Sequence, residues 1–129
     1  MTDRELALRA EIMRAFADTG EPPDVPDGAA LRALSERHVV VLDEDARIVM
    51  AHPFAAHPNG ARVDADGRTW WGNCAWDGFG IVAALDVPDA TITAQGIAVS
   101  IADGEPRDAG AVFHVAVPAA HWWDDIAHT

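Results

Sequence analysis

The sequence has little cysteine, no tyrosine and no long apolar run. One cysteine in 129 residues excludes a disulfide within the chain, a composition typical of proteins in a reducing cytosol. No stretch approaches the roughly 20 apolar residues that span a bilayer. Residues 1–5 are charged and are not followed by the apolar core of a signal peptide. We therefore expect a soluble cytoplasmic protein, and the richness in Ala, Asp, Arg and Gly is typical of a high-GC bacterial genome.

Basic residues are also scarce. The chain has 9 Lys and Arg against 21 Asp and Glu, which gives a formal net charge of −12. Such a chain repels phosphate backbones and anionic lipid headgroups, and no basic patch offsets this repulsion. We therefore expect neither nucleic acid nor a membrane as a partner. The oligomeric state is left open by the sequence.

The first 51 residues have the outline of a winged helix. Apolar residues at spacings of three and four predict an amphipathic helix over residues 4–18, and Asp27 is placed to cap a second helix over residues 28–37. β-Branched residues predict a strand at 38–42, and a second strand at 47–51 follows an acidic turn. Helix, helix and β-hairpin in this order are typical of a winged-helix unit.

Winged helices commonly bind DNA through their second helix. Here that helix offers only Arg32 and Arg37 as cations, and the predicted hairpin tip is acidic. We therefore interpret the unit as a winged-helix-like packing element.

Residues 52–129 predict a sheet and one buried helix. Pro, Gly and Asn interrupt residues 52–67, which predicts loop and short strand. Residues 74–85 are apolar on nearly all sides, as buried helices are. Further strands are predicted at 68–71, 91–93, 97–101 and 111–117, with a short terminal helix or turn at 121–126. The predicted fold class is α+β, with a winged-helix-like subdomain at 1–51 and a small mixed or antiparallel sheet packed on a buried helix at 52–129.

Cys74 and Asp77 are the strongest candidates for chemistry. Cys74 opens the helix predicted at 74–85, where free backbone N–H groups and the helix dipole favour a thiolate. Asp77 follows three residues later and shares its helical face. A neighbouring carboxylate disfavours the thiolate, so a pair that shares one proton is a plausible resting state. The alternative is structural: most lone cysteines are small buried hydrophobes, and Asp77 would then bond backbone groups.

The surrounding residues resemble a known family. Residues 71–77 (WGNCAWD), followed by an apolar helix, resemble the active-site segment of the alkylmercury lyase (organomercurial lyase) family, which has a Cys-Ala-x-Asp core after an aromatic residue. Residues 51–54 (AHPF) resemble the strand that enters that site, and residues 113–118 (FHVAVP) resemble the late strand of the family. The winged-helix-like N-terminal unit is shared too, so the resemblance covers most of the chain.

The resemblance implies a lyase that needs no cofactor and whose substrate carries mercury. In that family the cysteine binds the mercury of an organomercurial, and the aspartate takes part in metal binding and delivers the proton that cleaves the carbon–mercury bond. By resemblance Cys74 and Asp77 inherit these roles. Mercury is a soft metal and prefers thiolate.

The sequence departs from the family pattern at one position. The family's lyases use a second cysteine just before the late strand, and here Asp108 lies near that position. Aspartate is a hard ligand and a poor substitute for thiolate on mercury. This departure keeps two alternatives open, namely a non-catalytic protein that binds a soft metal or small ligand, and a family member with a different small-molecule substrate. The retained aspartate favours an enzyme.

Aromatic residues and one histidine complete the candidate pocket. Trp71 and Trp76 lie close to Cys74 in sequence and would form an apolar wall that receives an organic group. Filling the core is the alternative for each tryptophan. His52 is kept as a pocket residue because it precedes the segment that enters the site. No zinc-type spacing of histidines and cysteines is present.

Overall fold

The computed structural model describes residues 1–107, 110, 112 and 114–126. Within these residues the strands form one eight-stranded sheet in the order β1-β2-β3-β5-β4-β6-β7-β8. The helices are α1 (Asp3–Thr19), α2 (Gly28–Glu36), α3 (Ala75–Leu85) and a terminal 3₁₀ helix (Ala119–Asp124). The strands are β1 (Val41–Leu42), β2 (Ile48–Ala51), β3 (Phe54–Ala55), β4 (Ala61–Ala65), β5 (Arg68–Gly72), β6 (Ala90–Ala94), β7 (Ile97–Ala102) and β8 (Glu105–Pro106). The sheet is antiparallel throughout, so the predicted α+β class is confirmed.

Helix α1 begins with a capping box, and one of its faces is buried. The Thr2 hydroxyl accepts from the Glu5 backbone N–H, and the Glu5 carboxylate accepts from the Thr2 N–H, a capping box that satisfies both donors. Leu8, Ile12 and Phe16, each four residues apart, are fully buried. The helix ends at Gly20, whose φ of 77° is the left-handed conformation that glycine adopts without strain.

The register of the central strands separates the two faces of the sheet. Val63 of β4 lies opposite Trp70 of β5 and Ile92 of β6, and these directly opposed side chains share one face, which is buried. Arg62 and its partner Trp71 lie on the other face. The buried face therefore receives the helices, and the second face is more exposed.

Two helices cover the buried face. The Trp70 indole N–H donates to the Phe16 carbonyl at 3.0 Å, which ties α1 to β5. Gly78 of α3 approaches β6 so closely that a Cβ there would lie 2.6 Å from Ile92 Cγ2. This approach sets the start of α3 directly beside the end of β5.

The core is continuous across the division predicted at residue 51. One hydrophobic cluster includes Leu8 and Phe16 of α1 together with Ile81 of α3 and Ile101 of β7. Strand β2 pairs with β3, so the N-terminal hairpin belongs to the eight-stranded sheet. Two subdomains and a winged-helix-like unit stay predictions.

The structure corrects two of the expected strands. Residues 38–42 do not form a five-residue strand, because His38 has a φ of 59° and belongs to a turn, which leaves only Val41–Leu42 paired. The strand expected at 111–117 is absent from its described residues, 112 and 114–117, which are exposed and belong to no strand. Ala111 and Phe113 lie outside the described residues.

Helix α3 is not buried on all sides. Its buried residues are Gly78, Ile81 and Val82, whereas Trp76 is 63% exposed. The apolar composition was misleading because much of it is Ala and Gly, small residues that tolerate solvent as well as burial. Only the side that faces the sheet is covered. In the described part of the chain, no helix is both long and apolar enough to cross a membrane.

Candidate functional site

Cys74 is the N-cap residue of α3. Strand β5 ends at Gly72, and Cys74 is extended (φ −143°, ψ 174°) immediately before the first helical turn. Its side chain is half-buried. The thiol therefore lies at the junction of a central strand and the helix that packs on it, where free backbone N–H groups point outward.

One carboxylate oxygen of Asp77 organises this junction. Asp77 Oδ2 accepts from the Asn73 N–H at 3.0 Å and from the Cys74 N–H at 3.3 Å, and it lies 3.8 Å from Cys74 Sγ. The sulfur in turn faces the backbone N–H of Asp77, so the two residues form a capping box with a thiol in the place of a hydroxyl. The same oxygen therefore fixes the backbone and contacts the sulfur.

The second carboxylate oxygen of Asp77 faces a histidine. His52 Nδ1 lies 3.7 Å from Asp77 Oδ1, and the Asp77 side chain is only 12% exposed. The other ring nitrogen of His52, Nε2, is buried and has no hydrogen-bond partner in the part of the chain that the structure describes. His52, Cys74 and Asp77 thus form one cluster, although 22 to 25 residues separate the histidine from the other two.

Two glycines permit the close packing beneath this cluster. A Cβ on Gly72 would lie 2.7 Å from Asp77 Cβ, and a Cβ on Gly60 would lie 2.0 Å from the Asn73 carbonyl oxygen. Real Cβ atoms do not approach other atoms this closely, so any larger residue would displace Asn73 and the start of α3. Asn59 adds a side-chain bond to Asn73 Oδ1 at 2.9 Å.

Burial raises the pKa of the Cys74 thiol above that of a free cysteine. The negative charge of Asp77 acts in the same direction, while the N–H groups of Asp77 and Trp76 oppose it. Desolvation of the thiol therefore outweighs the stabilisation of the thiolate by the helix N-terminus that the sequence predicts. The thiol keeps its proton at neutral pH, 3.8 Å from a carboxylate that can accept it.

The structure does not bring every predicted pocket residue to this cluster. Trp71 lies on the opposite face of the sheet, where its ring is 5.9 Å from the Arg62 guanidinium carbon. Trp76 points largely into solvent, at 63% exposed. Asp108 lies outside the described residues.

The C-terminal segment reaches the cluster, a contact that sequence reasoning missed. Asn73 Nδ2 donates to the Ile126 carbonyl at 2.8 Å, and the Trp123 ring meets the His52 ring edge-on at a centroid distance of 5.6 Å. The position of Asn73, next to Cys74, was a signal for its part in the site. Nothing in the sequence signals the bond to Ile126, because it uses a backbone carbonyl 53 residues away.

The cluster has the chemistry of a soft-metal and proton-transfer site. A thiol binds soft metals, and an adjacent carboxyl can hold or deliver a proton. Across residues 1–107, 110, 112 and 114–126, no three His, Cys, Asp or Glu side chains are grouped as a metal site. Capture of a metal by these residues would therefore depend mainly on the single sulfur.

Comparisons with known proteins identify the family and the fold of the chain. A family model described as alkylmercury lyase (MerB) matches residues 54–129, more than half of the chain. A solved structure, the mercury-bound form of MerB2, is similar with a TM-score of 0.67 at 18% sequence identity, which shows a shared fold. The match covers 84% of this chain and 60% of that chain, so this chain corresponds to about three-fifths of the MerB2 structure. A search of curated proteins found no match.

Proposed function

The chain belongs to the alkylmercury lyase family, and on that premise we propose that it cleaves carbon–mercury bonds by protonolysis. Cys74 captures the mercury of an organomercurial substrate, and Asp77 carries the proton to the leaving carbon. The solved MerB2 structure, described as mercury-bound, has the same fold and supports mercury as the metal of the substrate. The proposed reaction uses no cofactor.

The observation that carries the proposal is the contact between Cys74 and Asp77. The sulfur lies 3.8 Å from Asp77 Oδ2, so a proton that leaves the thiol has an acceptor beside it. Because burial and the carboxylate raise the thiol pKa, the resting site holds its proton on sulfur at neutral pH. The proton needed for cleavage is thus already present in the site.

The proposed reaction has two steps. In the first, the Cys74 sulfur binds mercury and displaces the solution ligand of the organomercurial, while the thiol proton passes to Asp77. In the second, the Asp77 carboxyl protonates the carbon, the carbon–mercury bond breaks and the hydrocarbon leaves. Mercury(II) remains on the Cys74 thiolate and the Asp77 carboxylate until low-molecular-weight thiols in solution remove it. Thiolate is the stronger of these two ligands for a soft metal.

The backbone keeps Asp77 in place during this transfer. The N–H groups of Asn73 and Cys74 donate to Oδ2, so the carboxylate stays oriented whether or not it holds the proton. His52 faces the other oxygen, with its Nδ1 3.7 Å from Oδ1. Pre-positioned groups of this kind lower the cost of ordering the reactants.

Hydrocarbon release tests the proposal directly. The protein is incubated with phenylmercuric acetate and excess low-molecular-weight thiol, and benzene is measured. We expect release that depends on Cys74 and disappears in the Cys74→Ala variant. Release no faster than in that variant would contradict the lyase proposal.

A second candidate function is supported by the cysteine count. With one thiol in the chain, mercury has a single thiolate ligand, which suits retention of a metal or small ligand without turnover. One equivalent of mercury retained per chain, with no hydrocarbon released, would favour this binding function. Rapid reaction of Cys74 with a different electrophile, without mercury chemistry, would favour a changed substrate.

A further inference from the structure

The terminal segment, residues 119–126, contacts the candidate site on both sides of Asp77. Its Trp123 ring meets His52, which faces Asp77 Oδ1. Its Ile126 carbonyl accepts from Asn73, whose backbone N–H holds Asp77 Oδ2. The segment therefore contacts a residue on each side of one carboxylate, His52 and Asn73.

The Trp123 ring is held between two histidines from different parts of the chain. It stacks on His38 at a centroid distance of 4.2 Å and an interplanar angle of 11°, and it meets His52 edge-on at 79°. Both arrangements are favourable for aromatic rings. Trp123 is therefore oriented by contacts on two sides although it is 37% exposed.

We propose that Trp123 is the specificity-determining residue of this site, and that its ring forms the outer wall over Cys74 that limits the size of the organic group admitted. The tryptophans nearest to Cys74 in sequence do not fill this role. Trp71 lies on the other face of the sheet and Trp76 is mostly exposed. That the excluded group is the organic part of a mercury compound rests on the proposed function. That Trp123 restricts access to the Cys74 thiol does not.

The terminal segment, which carries the Trp123 wall, opens more easily than the rest of the site. Among residues 114–126, all except Trp122 and Ile126 are exposed. Segments with few buried contacts open at a small fraction of the global unfolding cost. Large reagents therefore reach Cys74 only when the terminal segment moves away, while small ones reach it with the segment in place.

Maleimides of two sizes test the proposal with one chemistry. Cys74 is the only cysteine, so the rates of N-ethylmaleimide and N-pyrenylmaleimide addition report on this thiol alone. In Trp123→Ala we expect the ratio of the pyrenyl to the ethyl rate to rise about tenfold, because the ring that makes both aromatic contacts is lost. Trp123→Phe, which keeps a ring between the histidines, should restore a ratio near that of the wild type.

Trp122→Ala is the matched control. Trp122 is the neighbouring indole, but its Nε1–H donates to the Val117 carbonyl, which precedes the terminal segment. We expect the size ratio to stay at the wild-type value. An unchanged ratio in Trp123→Ala, or an equal rise in Trp122→Ala, would overturn the proposal.

Two further measurements keep the test decisive. Circular dichroism checks each variant for folding, and Trp123→Leu replaces Trp123→Ala if the latter unfolds. In the wild type, hydrogen exchange of residues 119–126 should increase after pyrenyl modification and change little after ethyl modification. Equal hydrogen exchange of residues 119–126 in the two adducts would contradict the role of Trp123 as a wall. Because maleimide addition involves no mercury, a protein that fails to release hydrocarbon still tests this inference.

Discussion

The starts of α1 and α3 are built on the same plan but with different atoms. Each has an N-cap side chain and a carboxylate three residues later that form a capping box, Thr2 with Glu5 and Cys74 with Asp77. In α1 the cap atom is a hydroxyl, which is among the favoured cap groups. In α3 it is a thiol, a weak hydrogen-bonding group.

The carboxylates of the two boxes also face different partners. Glu5 lies 3.6 Å from the Arg37 guanidinium, a permanent cation, whereas Asp77 lies 3.7 Å from a histidine ring. Both carboxylates are nearly buried, at 11% and 12% side-chain exposure, so each is costly to leave without partners. The same local geometry therefore stabilises a helix start in α1, and in α3 it holds a thiol beside a carboxylate, the pair to which we assign the chemistry in the proposed function.

Replacing Cys74 with serine separates these roles most strongly. We expect Cys74→Ser to abolish hydrocarbon release and mercury retention, because a hydroxyl does not bind soft metal. Since serine is a favoured N-cap, the free energy of unfolding should stay constant or rise by up to about 1 kcal/mol. Product analysis and urea denaturation measure the two effects. A variant that loses more than about 2 kcal/mol would show that the thiol is chiefly structural.

Removing the charge of Asp77 should reduce turnover but not capture. Asp77→Asn keeps a carbonyl oxygen for the backbone N–H groups and loses the transferable proton. We expect hydrocarbon release to fall by about 10²- to 10⁴-fold, the usual contribution of a positioned proton donor. Mercury retention should persist, measured as metal per chain after gel filtration.

Glu5→Gln is the matched control for this change, because it neutralises the corresponding carboxylate of α1. It should leave the rate of hydrocarbon release unchanged. If Asp77→Asn retains full turnover, the proton-carrier role is wrong.

Gly72, which packs against Asp77, should give the next largest effect on stability and hydrocarbon release. In Gly72→Ala the new Cβ would lie 2.7 Å from Asp77 Cβ and 3.2 Å from the Pro53 carbonyl oxygen. Relief of this overlap moves Asp77 and the start of α3, so we expect a loss of about 1–3 kcal/mol in the free energy of unfolding and slower release. Gly28→Ala is the control, since its Cβ meets only the end of Arg32 at 3.4 Å. Equal stability in both variants would argue against tight packing at Gly72.

Elements with strong local signals could be predicted closely from the sequence. The helix expected at residues 4–18 is observed at Asp3–Thr19, because apolar spacing and the Gly20 stop agree. The closeness of Cys74 and Asp77 also follows from local spacing at a helix start, although their roles stay a proposal. These features depend on residues that are close in sequence, so the local sequence predicts them.

Features that depend on distant contacts could not be predicted. Alternation places Trp70 and Trp71 on opposite faces, but only the packing of α1 and α3 decides which face is covered. Composition likewise did not show that α3 has an exposed side, because Ala and Gly fit either environment. The terminal segment reaches Asn73 through a carbonyl, and backbone atoms have no sequence signature.

The pH dependence of the thiol probes the charge beside Cys74. Because its pKa is raised in the folded protein, alkylation by iodoacetamide should accelerate only above the pH at which a free cysteine ionises. Asp77→Asn removes the neighbouring charge and should move this profile to lower pH. An unmoved profile would mean that Asp77 exerts no electrostatic effect on the thiol.

The same pKa shift contributes to stability. The folded state holds the thiol proton more tightly than the unfolded state, so the contribution is fully present below the unfolded pKa and is lost as pH rises through the folded pKa. Wild type should therefore lose more stability than Cys74→Ser across this alkaline range. Parallel losses in urea titrations of the two proteins would contradict the shift.

The smallest effect is expected at the start of α1. Thr2→Ala removes the hydroxyl that accepts the Glu5 N–H at 3.2 Å, and we expect the free energy of unfolding to fall by about 1 kcal/mol, the usual cost of losing an N-cap. Urea denaturation measures this loss. Hydrocarbon release and the maleimide size ratio should not change, because the Thr2 hydroxyl bonds the Glu5 N–H, whereas α1 meets β5 at its other end, through Phe16 and Trp70. A change in either would mean that the two capping boxes are coupled, and the contrast between a structural and a reactive helix start would then fail.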